Sequence, residues 1–79
     1  MGLAKNEAEL AKRTAAFLKA EIARADITYE ELAKRMKKHG VAETKASVTN
    51  KLARGTFPAT FMLAALAALE LPCLNLEDV

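Results

Sequence analysis

Three residues that interrupt helices, Gly40, Gly55 and Pro58, divide the chain into segments whose apolar side chains recur every three or four positions. That spacing places the apolar side chains on one face of an α-helix. Only 5% of the residues are aromatic although 52% are apolar, which favours packed amphipathic helices over a β-sandwich or barrel. We therefore predict an all-α fold.

The chain has 79 residues, which suffices for one domain with a single core but is near the lower limit for stability without disulfides or a metal. Its lone cysteine, Cys73, cannot form an internal disulfide, which indicates a reducing compartment. The longest apolar run, Phe61 to Leu69, is too short to span a bilayer and lies far from the N-terminus. We expect a single cytoplasmic domain, residues 1–79, with no membrane partner.

Helix boundaries are indicated by capping residues. Thr28 and Thr44 are suited to begin two helices, because a threonine hydroxyl accepts a hydrogen bond from the first turn. Gly40 and Gly55 are suited to end the same helices, since glycine adopts the left-handed conformation at low cost. The tail alternates apolar and polar residues, which fits either a short extended edge or a packed coil. The predicted elements are a long first helix at 3–25, a helix pair within 28–55, a core helix at 58–71 and a tail at 72–79.

The first helix carries more apolar surface than one core requires. Leu3, Leu10 and Phe17 recur every seven residues and form an edge beside its main stripe. This edge either packs against the C-terminal segment or is covered by a second subunit, with Leu74 and Leu76 as the second choice for a dimer contact. The main stripe consists of Ala11, Ala15, Leu18 and Ile22.

Charge is concentrated in the middle of the chain. Residues 28–58 contain seven Lys or Arg and three Asp or Glu, whereas residues 59–79 contain three acidic residues and no basic one. The basic segment is either a solvated surface or a site of attraction for a polyanion.

The segment TKASVTNKLARGTF, residues 44–57, has an unusual outer face for a surface helix. Val48 and Leu52 form a narrow apolar stripe, and the opposite side carries small or polar residues. Short side chains allow the helix backbone to approach a partner closely, as in the DNA major groove. The residues opposite the stripe are Ala46, Ser47, Asn50 and Arg54.

The order of these features resembles the lambda repressor and Cro-like family of helix-turn-helix proteins over roughly residues 17–71. Nearly the whole chain is also similar to a family of short bacterial proteins known as a domain of unknown function, most specifically at Asn50 to Phe57. The resemblance implies a lambda repressor-like helix-turn-helix domain of four to five helices that binds duplex DNA. It suggests a small bacterial or phage transcriptional regulator, associated with the nucleoid. The residues shared with the Cro-like pattern are Leu32, Ala33, Met36, Gly40, Val41, Thr44, Val48, Arg54 and Gly55.

Carried over by position, the base-reading sites of the lambda repressor and Cro-like family fall on Lys45, Ala46 and Asn50. Ser47 and Thr49 lie beside them. An asparagine can pair with adenine, a lysine with guanine, and an alanine can touch a thymine methyl group. The alternatives are a solvated amide at Asn50 and a solvated or phosphate-bound charge at Lys45.

Phosphate contacts are expected at the periphery of this helix pair. For Tyr29 the alternative is a partly packed ring, and for each of the others it is a solvated surface position. As a group they would supply the sequence-independent attraction that DNA binding requires. The residues are Tyr29, Lys38, Lys51, Arg54 and Thr56.

Other chemistry has little support in the sequence. His39 and Cys73 are too few to fill a structural zinc site. We find no glycine-rich phosphate loop and no Ser/His/Asp or Cys/His set. We expect neither an enzyme nor a bound metal, cofactor or small-molecule ligand.

Partner expectations follow from the same features. A single helix-turn-helix domain contacts few base pairs, so we expect a two-fold homodimer on DNA. The rival hypothesis is a protein-interaction module, such as an adaptor or antitoxin-like protein. It would keep the fold but bind another protein through Leu3, Leu10, Phe17 and the C-terminal leucines.

Overall fold

A computed structural model describes residues 4–79 of the chain. Within those residues the fold is all-helical, without a β-strand, as the sequence predicted. None of these helices combines the length and the apolar character that crossing a bilayer requires. The elements are α1 (Glu7–Arg24), α2 (Tyr29–Lys37), α3 (Lys45–Arg54), α4 (Ala59–Ala68) and a short 3₁₀ turn, Leu76–Asp78.

The start of α1 is set by an asparagine cap. The side chain of Asn6, whose backbone is extended, accepts a hydrogen bond from Glu9 N at 2.9 Å. The helix therefore begins at Glu7, later than the apolar spacing indicated, and residues 4–6 are not helical. Leu3, the expected first residue of the helix, lies outside the described residues.

Threonine caps begin α2 and α3 as expected. Thr28 Oγ1 accepts from Glu31 N at 3.0 Å, and Thr44 Oγ1 accepts from Ser47 N at 3.1 Å. At α3 the arrangement is reciprocal, because Thr44 N also donates to Ser47 Oγ at 2.8 Å. At α2 it is not, since the Glu31 carboxylate accepts from Arg35 Nε at 3.1 Å instead of turning back to the cap.

A left-handed residue follows each of the four α-helices. Gly40 and Gly55 have φ of 83° and 75°, in agreement with the expected ends of α2 and α3. Asp26 after α1 and Glu70 after α4 adopt the same conformation with φ of 57° and 59°. These two positions were not foreseen, because a side chain with a Cβ atom makes the conformation costly.

The core lies where the four helices meet: α1 packs on α3, and α2 packs on both α3 and α4. The main stripe of α1 is confirmed, with Ala15, Leu18 and Ile22 buried and Ala11 half-buried. The sequence predicted α4 as a core helix, and one side of α4 is buried as expected. Its other side faces solvent, where Leu63 is 65% exposed. The largest fully buried side chains are Phe61, Leu18, Leu32, Met36, Leu52 and Val48.

The second apolar edge of α1 is packed within the chain at Phe17 and exposed at Leu10. Phe17 and Leu74 are half-buried and pack against the core, whereas Leu10 and Leu76 are 41% and 64% exposed. The tail forms a 3₁₀ turn capped by Asn75, whose side chain accepts from Glu77 N at 2.9 Å. It is therefore not the extended edge that one of the two sequence interpretations suggested.

Candidate nucleic-acid interface

Helix α3 presents small and polar side chains to solvent. Val48 and Leu52 are 0% and 1% exposed, and their burial fixes which side of the helix faces outward. Long side chains occur on the exposed face only at its two ends, Lys45 and Arg54. The middle of α3 can therefore approach a grooved surface closely. The exposed residues are Lys45, Ala46, Thr49, Asn50, Ala53 and Arg54.

Four of the five predicted base-reading residues lie together on this face, and Ser47 does not. Ser47 is half-buried, and its Oγ lies 2.8 Å from Thr44 N and 2.6 Å from Glu43 Oε1. Its hydroxyl thus serves the helix cap. Thr49 is exposed but donates its hydroxyl hydrogen to Lys45 O at 2.8 Å, which leaves its oxygen as an acceptor.

An ion pair behind the exposed face was missed by the sequence reasoning. Lys51 Nζ lies 2.5 Å from Glu43 Oε2, and the side chains of these residues are 23% and 4% exposed. The same Nζ atom lies 5.1 Å from the centroid of the Phe61 ring, within the range of a cation–π contact. Lys51, one of the predicted phosphate contacts, thus connects α3 to the preceding segment and to α4.

A sequence signal for this pair does exist. Glu43 is the one acidic residue between Glu31 and Glu70, in the most basic part of the chain. Its partner lies eight positions away, across the start of α3, so the three- and four-residue spacing used for helical ion pairs does not reveal it.

The remaining phosphate candidates occupy different environments. Tyr29 is half-buried and packs partly against the core, as its alternative interpretation supposed. Lys38, Arg54 and Thr56 are exposed. Lys38 lies in the turn after α2, whereas Arg54 and Thr56 flank the end of α3.

Cationic side chains in residues 4–79 fall into two sets. Arg13, Arg24, Arg35 and Lys51 form ion pairs with carboxylates. The others have no carboxylate at salt-bridge distance in the part of the chain that the structure describes, so they are available to an external anion. They are Lys5, Lys12, Lys19, Lys34, Lys37, Lys38, Lys45 and Arg54.

The connection between α2 and α3, residues 38–44, is longer than the three or four residues usual in a helix-turn-helix motif. Gly40 allows the chain to reverse, and Val41 N then donates to Met36 O at 3.3 Å. The Val41 side chain packs against the core, and Glu43 is held by Lys51. The longer connection is thus anchored at two points.

Metal-binding chemistry finds no support in the geometry of residues 4–79. No three of their His, Cys, Asp and Glu side chains are grouped to hold a metal ion. His39 and Cys73 are both exposed.

Comparison with known families identifies the chain. Residues 10–74 match the family model described as Domain of unknown function (DUF6471). The chain belongs to the DUF6471 family. This confirms the resemblance to a family of unknown function, and the family description itself assigns neither a fold nor an activity. No curated protein and no solved structure matches the chain.

The DUF6471 match covers α2, α3 and α4 completely and most of α1. The exposed face of α3 and the Glu43–Lys51 pair both lie within it. Leu76, the second-choice dimer residue, and Lys5 lie outside it.

Proposed function

We propose that this DUF6471 protein is a lambda repressor-like helix-turn-helix protein that binds duplex DNA through the exposed face of α3. One observation carries the proposal: small exposed side chains fill the middle of that face, and Lys45 and Arg54, which have no carboxylate at salt-bridge distance within residues 4–79, lie at its ends. The nearby carboxylate of Glu43 is neutralised by Lys51 and is 4% exposed, so it does not repel phosphate.

The dimensions of α3 suit the major groove. An α-helix with its side chains is about 10–12 Å in diameter, and the major groove is about 12 Å wide. The ten residues of α3 give a helix roughly 15 Å long that can lie in the groove. Lys45, Ala46 and Asn50 would meet base edges. Arg54 and Lys38 would bind phosphates on either side and set the register.

Recognition requires that α3 keep a fixed rotation, and the buried contacts behind it provide this. Val48 and Leu52 are inserted in the core, and Lys51 connects Glu43 to the Phe61 ring of α4. A helix held from both sides presents its polar face in one orientation, which direct readout of base edges requires.

A second copy of the chain completes the proposal. A single helix of this length reads few base pairs, and two-fold dimers double the contacted sequence. The exposed face of α4 around Leu63 is a better candidate for the dimer contact than the edge of α1 at Leu10, because Leu63 is 65% exposed and Leu10 is 41% exposed. Thr60 and Ala67 beside Leu63 are small, and they line the same groove as Val41. A dimer bound to a DNA site next to a gene would act as a small transcriptional regulator of that gene.

A protein-interaction module is the second candidate function. The exposed Leu63 face favours it, because Leu63 lines one groove with Val41, Ala64 and Ala67, and a contiguous apolar surface of this kind is typical of a contact with another protein. In this case the α3 face would bind duplex DNA no better than any cationic surface does.

The deciding experiment is selection of the purified protein against a random duplex library, followed by a salt titration on the enriched sequence. We expect one enriched motif and a log–log dependence of affinity on salt with a slope of about −0.9 per phosphate contacted. Absence of duplex binding at about 50 mM salt would refute the proposal. Binding without any enriched sequence would favour the interaction module.

A further inference from the structure

A groove between α1 and the end of α3 is bordered by three cations. Lys12 and Lys19 of α1 and Arg54 of α3 line it, and the rest of its surface consists of small or apolar residues. Lys12 and Lys19 are seven residues apart, about two helical turns, so they project from the same side of α1. The other lining residues are Ala8, Ala15, Ala16, Leu52, Ala53 and Gly55.

The two helices meet here through their backbones. A Cβ atom added at Gly55 would lie 2.5 Å from the carbonyl oxygen of Ala11 and 3.2 Å from its Cβ atom. Such a close approach is possible only with glycine on one side and a small residue on the other. It places the lysine side of α1 next to Ala53 and Arg54, at the edge of the exposed α3 face.

The groove carries positive charge without local compensation. None of its lining residues is acidic, and Lys12, Lys19 and Arg54 have no carboxylate at salt-bridge distance within residues 4–79. The α1 carboxylates of Glu9 and Glu21 are bound to Arg13 and Arg24. The third α1 carboxylate, Glu7, lines a different groove, on the other side of Gly55. A surface of this kind attracts a polyanion that reaches past the α3 helix.

We propose that Lys12, Lys19 and Arg54 form a phosphate-binding ridge for the DNA strand that borders the C-terminal half of α3. This inference rests on the proposed function, because α3 must lie in the major groove for that strand to reach α1. A helix in the major groove has a phosphate backbone on each side. Lys12 and Lys19 of α1 lie on the side of α3 that carries Ala53 and Arg54, so they extend the cationic surface next to that backbone. Phosphate contacts of this kind add affinity and fix the register, and they read no sequence.

The test compares the double variant Lys12→Ala/Lys19→Ala with Arg24→Ala. Arg24→Ala makes a charge change on the same helix, but Arg24 lines a different groove, beside Asp78 and Val79. All three side chains are exposed and alanine is the best helix former. Because Arg24→Ala also removes the partner of Glu21, whose side chain is 13% exposed, circular dichroism verifies that each variant keeps the fold. Affinity is measured from about 50 to 200 mM salt on the selected duplex and on a scrambled duplex.

The expected result is a salt dependence shallower by about 1.8 in the double variant, from two phosphate contacts of about 0.9 each. The ratio of affinities for the two duplexes should stay as in the wild type, and Arg24→Ala should keep the wild-type slope. The ridge is refuted if the wild type binds duplex DNA and the double variant has the same slope. It is also refuted if Arg24→Ala lowers the slope as much as one lysine does. A wild type that binds no duplex at low salt defeats the proposed function itself, and the ridge with it.

Discussion

Lys51 Nζ lies 2.5 Å from Glu43 Oε2, and this contact joins the segment before α3 to the middle of that helix. The Glu43 carboxylate has a second partner, the hydroxyl of Ser47 at 2.6 Å, which also belongs to the helix cap. Because the Glu43 side chain is 4% exposed, neither partner can be replaced fully by water. Lys51, on the candidate DNA-binding helix, therefore stabilises the fold whether or not it also contacts phosphate.

Removal of this lysine should destabilise the domain. Lys51→Ala leaves a largely buried carboxylate without its counter-ion, and we expect a loss of about 2–3 kcal/mol in the free energy of unfolding. Arg35→Ala is the matched control, because the Arg35–Glu31 pair has side chains 37% and 43% exposed and should contribute about 0.5 kcal/mol or less. Urea unfolding monitored by circular dichroism measures both.

The pairing also predicts non-additivity. Replacement of both partners, as in Glu43→Gln/Lys51→Met, should cost less than the sum of the two single variants, since no unpaired charge is left buried. Equal losses for Lys51→Ala and Arg35→Ala would mean that the contact is no stronger than a surface ion pair.

The two left-handed glycines should differ in their tolerance of alanine. At Gly55 an added Cβ atom meets the Ala11 backbone at 2.5 Å, so Gly55→Ala combines conformational strain with a clash that must separate α1 from α3. We expect a loss of about 2–5 kcal/mol. At Gly40 no atom of residues 4–79 lies within 4 Å of the added atom, so only the strain of about 1 kcal/mol applies. Similar urea midpoints for the two variants would show that α1 and α3 adjust without cost.

Glu70 offers a stabilising change. It adopts φ of 59° after α4, where glycine avoids the strain, and its negative charge lies near the negative end of the helix dipole. Glu70→Gly should therefore raise the free energy of unfolding by about 1 kcal/mol. Asp26→Gly should gain less, because aspartate tolerates the left-handed conformation better. A thermal melt in which Glu70→Gly unfolds earlier than wild type would contradict this expectation.

Local signals in the sequence were sufficient for the helices and much of the core. Threonine and glycine caps act within four residues, and the apolar stripe of α1 follows from helical geometry alone. These local signals could not show that Phe17 packs against the core of its own chain, or that Leu63 is exposed. Both outcomes depend on how the helices pack against one another.

In the candidate site, too, the sequence predicted the features that depend on one helix and missed a contact between segments. The exposure of Ala46, Asn50 and Arg54 follows from the positions of Val48 and Leu52 on the same helix, and the sequence predicted it. Ser47 was expected on the same face but is half-buried. The sequence did not predict the ion pair of Lys51, because its carboxylate partner reaches it across the helix start.

Specific and general contributions to DNA binding should separate at α3. Asn50→Ala removes a short amide from the middle of the exposed face, and it should lower the preference for the selected duplex over a scrambled one by about 1–3 kcal/mol. Arg54→Ala should weaken binding to both duplexes alike and lower the salt slope by about 0.9. Arg54 is a cleaner probe of a phosphate contact than Lys51, because it has no ion-pair partner among residues 4–79. Indistinguishable effects of the two substitutions would undo the division between base-reading and phosphate-binding residues.

The oligomeric state can be tested at two leucines with different surroundings. The groove that Leu63 lines is formed otherwise by His39, Val41, Thr60, Ala64 and Ala67. Its lining includes no Asp, Glu, Lys or Arg, so two copies of this face can meet with His39 as the one ionisable side chain of the lining. Leu10 is less exposed, and Phe17 beside it is already packed in the monomer.

Leu63→Glu should therefore lower the dimer fraction in sedimentation equilibrium on the selected duplex, and binding to a two-fold operator should weaken with it. Leu10→Glu makes the same substitution on α1 and should leave the dimer fraction close to that of the wild type. Both side chains are exposed, so the thermal melts should stay near the wild type. A dimer lost in Leu10→Glu but kept in Leu63→Glu would return the interface to the α1 edge. A wild type that remains monomeric on its selected duplex would exclude both, and the full recognition would then have to come from one α3 helix and the ridge on α1.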